Sequence, residues 1–317
     1  MTRLDAGSET ELCHASDDTA GTRLLQSREV PLGGVRGLKV HRTLPQRELP
    51  MIGAWCFLDR FDEDDAVMRV LPHPHTGLQT VTWPLEGDIR HRDSVGSDVT
   101  VRPGELNIMT SGYGVSHSEF SLGEQTAPMH GLQLWVALPR DVADTDPAFE
   151  QHTELPVYEA GGLRATVLVG ALGDVDSPAL VHTPLLGADV TLRPDARVSV
   201  PVDPDFEHGV LVLSGSVTVG GTELESGPLL YLGTGRDHIE FDSLAGARFI
   251  LLGGVPFGEE LVMWWNFVAR SHEEIASARE DWERGAERFG TVAGHGADRI
   301  PAPPLPNVRL TPRRRAL

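Results

Sequence analysis

Two short segments carry the residues best suited to chemistry, His73-Pro74-His75 and His117-Ser118-Glu119. In an extended chain successive side chains point to opposite faces, so an i, i+2 pair presents both of its groups on one face. Two such strands facing each other inside a barrel bring three imidazoles and one carboxylate to a single point. Three neutral nitrogen donors and one oxygen donor suit a first-row divalent ion, Fe(II), Mn, Co, Ni or Cu, and leave one or two positions open for water, O2 or substrate. The opposing reading is chance, because 13 histidines in 317 residues fall two apart without purpose. Gln79 continues the alternation of His73 and His75 and is expected to point inward. There it serves either as an amide satisfied by a neighbour or as a hydrogen-bond partner, behind the ligands, to one of them or to a bound water. Ser111-Gly112-Tyr113-Gly114 lies just ahead of the second pair, where a strand must bend or another group comes close.

The elements that must hold these residues read as β structure. From about residue 23 to 255, short β-type runs recur about every ten residues between turn signals, as in Leu78–Trp83, Asp98–Arg102, Leu132–Ala137 and Val210–Leu213. That spacing predicts barrels or sandwiches. The halves echo each other: Leu85-Glu-Gly-Asp-Ile matches Leu213-Ser-Gly-Ser-Val, and Arg102-Pro-Gly-Glu-Leu matches Glu225-Ser-Gly-Pro-Leu. A duplicated barrel follows, with a linker at about 139 to 156. One helix comes late, where Ser271 and Glu274 form a capping box and Ile275, Ala278, Trp282, Ala286 and Phe289 recur at helical spacing until Gly290. Its apolar stripe is expected to dock on a barrel. The predicted organisation is 1–21 disordered acidic tail, 22–145 metal-binding N-terminal barrel, 146–256 second barrel without metal, 257–290 segment with helix, and 291–317 Pro/Arg-rich tail. The Arg313-Arg314-Arg315 cluster in that tail is expected to be merely solvated.

Composition narrows the partners. Basic residues number 27 and acidic ones 46, and 27 − 46 gives −19. A polyanion is repelled by such a field, so no direct nucleic-acid partner is expected. Cys13 and Cys56 cannot make a disulfide framework, the acidic N-terminal stretch lacks the basic and apolar parts of a signal peptide, and no continuous apolar run is long enough to span a membrane. A cytoplasmic protein without a membrane partner is the expectation.

Five stretches, taken together, carry a resemblance: Met51–Phe61, His73–Gly87, His91-Arg-Asp-Ser94, Pro103–Glu119 and His130–Val136. They resemble the pirin family of the cupin superfamily. The resemblance implies an all-β bicupin, two antiparallel cupin β-barrels with a short C-terminal helix docked on them, and a single iron in the first barrel. It implies the ligand set His73, His75, His117 and Glu119. Gln79 stands where pirins usually carry Glu. The second barrel has neither kind of ligand pair; His208 and His238 are isolated and expected to be solvated or core-polar.

The resemblance also implies two functions. One is an enzyme of the quercetin 2,3-dioxygenase type, which opens the central ring of a flavonol with O2 and releases carbon monoxide, with Glu119 taking the proton of the 3-hydroxyl. The other is a regulator without turnover, whose iron alters its binding to a protein partner, a metabolic enzyme or transcription factor. A third reading, a metal that only stabilises the barrel, sits less well with open coordination positions.

Overall fold

The computed structural model describes residues 21–31, 39–123 and 125–312. The regular spacing of short strands resolves into antiparallel sheets, as expected of two cupin barrels. In the first unit a seven-stranded sheet runs in the order Ala148–His152, Leu106–Thr110, Leu78–Glu86, Ala127–Ala137, Trp55–Ala66, Lys39–Leu44, Arg28–Pro31. A four-stranded sheet, Arg69–His75, Val115–Ser121, Ile89–Asp93, Asp98–Val101, lies across from it, and the two enclose a cavity lined from both sides. The second unit is an 11-stranded sheet.

Alternation sorts each strand of the seven-stranded sheet between two jobs. Val81, Trp83, Leu132 and Leu134 point away from the cavity and merge with Leu168, Leu185, Leu211 and Ile250 of the second unit into one apolar layer. The opposite face of the same strands sends Thr82, Gln133 and Trp135 inward. The indole N–H groups at the layer are matched: Trp55 Nε1 donates to the Leu186 carbonyl at 3.0 Å, and Trp83 Nε1 donates to Asp189 Oδ2 at 2.9 Å. Truncating a tryptophan buried in this way costs ~3–5 kcal/mol, so the layer is a main source of cohesion between the barrels. The interior of the second barrel is filled by Val167, Val190, Val212, Leu251, Phe241 and Phe249. Branched and aromatic side chains occupy the space that the first barrel leaves as a cavity.

The pairings cross the boundary expected near residue 145. Ala148–His152 pairs with Leu106–Thr110 of the first unit, while Arg23–Leu25 pairs with Leu229–Gly233 of the second. The expected linker at 139 to 156 thus contains a strand, because its apolar and polar residues complete an open sheet edge.

The chain returns to the first barrel after the second. The hairpin Val262–Trp264/Phe267–Ala269 attaches where Val268 N donates to the Thr76 carbonyl at 3.1 Å. The helix His272–Glu283 starts at Ser271, whose side chain accepts from Glu274 N, and buries Ile275, Ala278 and Trp282 as expected. It stops earlier than the apolar repeat suggests: Gly285 adopts φ +69°, and Ala286 and Phe289 belong to a separate turn at Glu287–Phe289. The expected Pro/Arg-rich tail is docked as far as residue 312 is described. Ile300 N donates to the Pro72 carbonyl at 2.8 Å, and Trp282 Nε1 donates to the Ile300 carbonyl at 2.8 Å. Prolines 301, 303 and 304 suit this extended strap, since they have no N–H to satisfy. The acidic start 1–20 and Arg313–Arg315 lie outside the described residues. Among the described residues no helix is long and apolar enough to cross a membrane.

Candidate metal centre

The strand Val115–Ser121 is the key to the site, because it has a histidine-bearing neighbour on each side. On one side His117 lies opposite His73 and Val115 opposite His75; on the other, Glu119 lies opposite His91 and His117 opposite Asp93. The two ligand pairs therefore sit side by side in one sheet, not on strands facing each other across the barrel. Directly opposed side chains in an antiparallel pair have Cβ atoms only about 4.5–5.5 Å apart, which draws the donors into one cluster. A bulge between His117 and Glu119 shifts the register.

His75 Nε2 and His117 Nε2 lie 3.1 Å apart, and the His73 and His117 ring centroids 4.4 Å apart. Donor atoms of His73, His75 and His117 all fall within 4.8 Å of one another, and a second group of the same kind, His91, His117 and Glu119, shares His117. All five side chains are buried. Gly77 permits this packing, since at φ +69° a Cβ there would lie 2.2 Å from the Val268 carbonyl oxygen.

Burial keeps the imidazoles neutral. It pulls His73 down to about 4, against the Leu71 carbonyl. His75 and His117 are held well below the ordinary histidine value by burial and by the neighbouring rings. Glu119 is pushed above the usual carboxylate range by burial, while the Thr82 hydroxyl pulls it back. Three uncharged nitrogen donors beside a buried carboxylate, on one wall of a cavity, fit a divalent metal in donor type and number. Cys56 offers no competing chemistry, since burial pushes its thiol up to about 12.

Gln79 does not join the cluster. Its amide donates to Thr110 Oγ1 at 2.9 Å and to the Leu180 carbonyl of the second unit at 3.0 Å. The left-handed Gly77 breaks the strand between His75 and Leu78, and the change of parity turns Gln79 to the inter-barrel side. The place behind Glu119 belongs to Thr82, whose hydroxyl lies 3.2 Å from Glu119 Oε1 and 3.0 Å from the Gln133 amide oxygen. His91 carries the same i, i+2 spacing, in His91-Arg92-Asp93, but its partner there is an aspartate. Trp265, Asn266 and Ile300 also line the cavity. They arrive from the C-terminal strap, and no local pattern announces that.

His208 is a buried core residue and His238 is exposed. Neither ring nitrogen of His208 has a hydrogen-bond partner, and burial pulls it down to about 4. The unfolded chain accepts a proton on this residue near pH ~6.5, so stability is full above that value and is lost as pH falls towards the folded value. His208→Leu is expected to reduce the drop in melting temperature between pH ~7 and pH ~5. His208→Ala/His238→Ala is expected to leave metal content unchanged, as measured by elemental analysis. Loss of metal would place the site in the other barrel.

Both the sequence and the fold match known proteins. Residues 37–136 match the family described as Pirin, and residues 187–290 match the Pirin C-terminal cupin domain. The chain is 44% identical to a Pseudomonas aeruginosa protein named "Putative quercetin 2,3-dioxygenase", over 88% of this chain and 89% of that one. It is 36% identical to a Caulobacter vibrioides pirin-like protein, over 84% of this chain and 94% of the other. A crystal structure of a quercetin 2,3-dioxygenase from Acinetobacter baumannii superposes with a TM-score of 0.86 at 41% identity, covering 92% of this chain and 98% of that one.

Proposed function

The chain belongs to the pirin family of the cupin superfamily, and from that premise we propose that its first barrel holds one divalent metal and opens the central ring of a flavonol with O2. The proposed ligands are His73, His75, His117 and Glu119. Fe(II) is the proposed ion, with Mn, Co, Ni or Cu as alternatives that the same donors accept. One observation carries the reading: the donor cluster forms part of the wall of a cavity of about 360 Å³ that Phe57 and Trp135 also line. A cavity of that size suits a small organic ligand.

When bound, the metal supplies a Lewis acid for the flavonol oxygens and a redox partner for O2. The chain's own residues do the rest. Phe57 and Trp135, stacked at 4.0 Å between centroids, line the cavity with aromatic surface for the substrate rings. Met68, Val70, Ile89 and Ile300 add apolar surface to the lining. The pair Arg42–Asp59, joined by two hydrogen bonds of 2.7 Å, adds hydrogen-bonding groups to the lining for the outer hydroxyls. Glu119, oriented by Thr82 and made more basic by burial, accepts the 3-hydroxyl proton and holds it until the product forms.

The test is oxygen uptake on adding quercetin, compared between metal-stripped and reloaded protein. Uptake only after reloading supports the reading. No uptake with any of the five metals would overturn it, and bound metal without turnover would favour a regulator acting on a protein partner.

A further inference from the structure

His91 and Asp93 lie in the same buried sheet face as the proposed ligands, yet neither belongs to the ligand set. His91 Nε2 is 3.0 Å from Asp93 Oδ2. Asp93 Oδ1 accepts from Val95 N at 3.0 Å and Ser97 N at 2.8 Å, which fixes the carboxylate in place. An ionised carboxylate only accepts hydrogen bonds, so His91 carries its proton on Nε2 and leaves a lone pair on Nδ1. That lone pair faces His117 Nδ1, at the longer distance of 3.4 Å. Two lone pairs facing each other repel, so His117 carries its proton on Nδ1. Its Nε2 then carries the lone pair, 3.1 Å from His75 Nε2. The His91 ring is stacked on Phe149 at 4.6 Å and 22°, which resists its turning over.

We propose that Asp93 and His91 are positioning residues, a hydrogen-bond chain that sets the tautomer of His117 and presents its Nε2 lone pair to the metal. The inference rests on the reading of His117 as a ligand and goes beyond it, since it concerns residues that touch no metal. A metal-bound histidine takes its orientation and donor strength from whatever holds its other ring nitrogen, and loss of that partner typically costs 10–100-fold in metal affinity.

Asp93→Asn gives the sharpest test. The amide oxygen can keep the Val95 and Ser97 contacts, but its NH2 group then faces His91 Nε2. His91 must move its proton to Nδ1 and donate to His117, which leaves the His117 proton on Nε2, where the ligand lone pair should be. Affinity for Co(II), measured by chelator competition, is expected to fall ~10–100-fold, with a changed d–d spectrum for what still binds. His91→Phe keeps the stack and removes the acceptor, so it should lose less. His91→Gln restores an acceptor and should recover part of the affinity. Melting temperatures of the metal-free variants identify any that fail to fold.

The chain is overturned if folded Asp93→Asn binds Co(II) within about twofold of the parent, or if His91→Gln recovers nothing over His91→Phe. Loss of binding in His91→Phe as complete as in a ligand variant would make His91 a ligand and overturn its positioning role. A parent that binds no Co(II) would remove the ligand reading itself, and the chain with it.

Discussion

Glu119→Gln is expected to lower turnover of a flavonol by ~10²-fold or more per bound metal, the usual consequence of losing a general base. The variant keeps the size of the side chain and one oxygen donor, and that oxygen can still accept from Thr82, as Glu119 Oε1 does now at 3.2 Å. What it loses is charge and basicity. Metal content should therefore fall only in part, and rates compared per bound metal separate the two effects. An unchanged rate per metal would mean that Glu119 is not the base. Gln79 could not then substitute, because its amide is bonded to Thr110 and Leu180 on the inter-barrel side; a water in the cavity would be the remaining acceptor.

His75→Ala is expected to reduce metal content sharply from about one equivalent per chain while the protein stays folded. Only two imidazoles would remain with the carboxylate, too few donors for tight binding. The fold should survive because His75 faces an existing cavity, whereas the layer formed by Trp55, Trp83, Leu132 and Leu252 lies on the other side of the sheet. Elemental analysis and a thermal melt measure both halves of the expectation. Undiminished metal in this variant, or two equivalents in the parent, would contradict the assignment.

Much of this site is legible in the sequence because alternation is a strong rule within one strand. His73 with His75, and His117 with Glu119, share faces for that reason, and the structure brings them together. The rule fails where the strand breaks. Gln79 is misplaced by it because Gly77, at φ +69°, shifts the parity in a way that residue types alone do not reveal. His91 obeys the rule but hides from a search for ligand pairs, since its partner Asp93 holds a histidine and not a metal. Arg42 and Asp59 pair across neighbouring strands whose register depends on distant contacts. The least legible part is the C-terminal strap, in which Trp265, Asn266 and Ile300 meet residues far back in the chain. Proline and arginine content suggests a loose tail there, yet Trp282 and Ala302 are buried within an apolar cluster that fixes it.

Oxygen uptake can also arise from slow oxidation of a bound metal, so the most direct test of the account is carbon monoxide in the headspace over metal-loaded protein, quercetin and O2. Carbon monoxide can come only from the excised ring carbon. One carbon monoxide is expected for each O2 consumed, in proportion to bound metal and abolished in His75→Ala. Oxygen consumption without carbon monoxide, or carbon monoxide at equal rates from the metal-stripped protein, would contradict it.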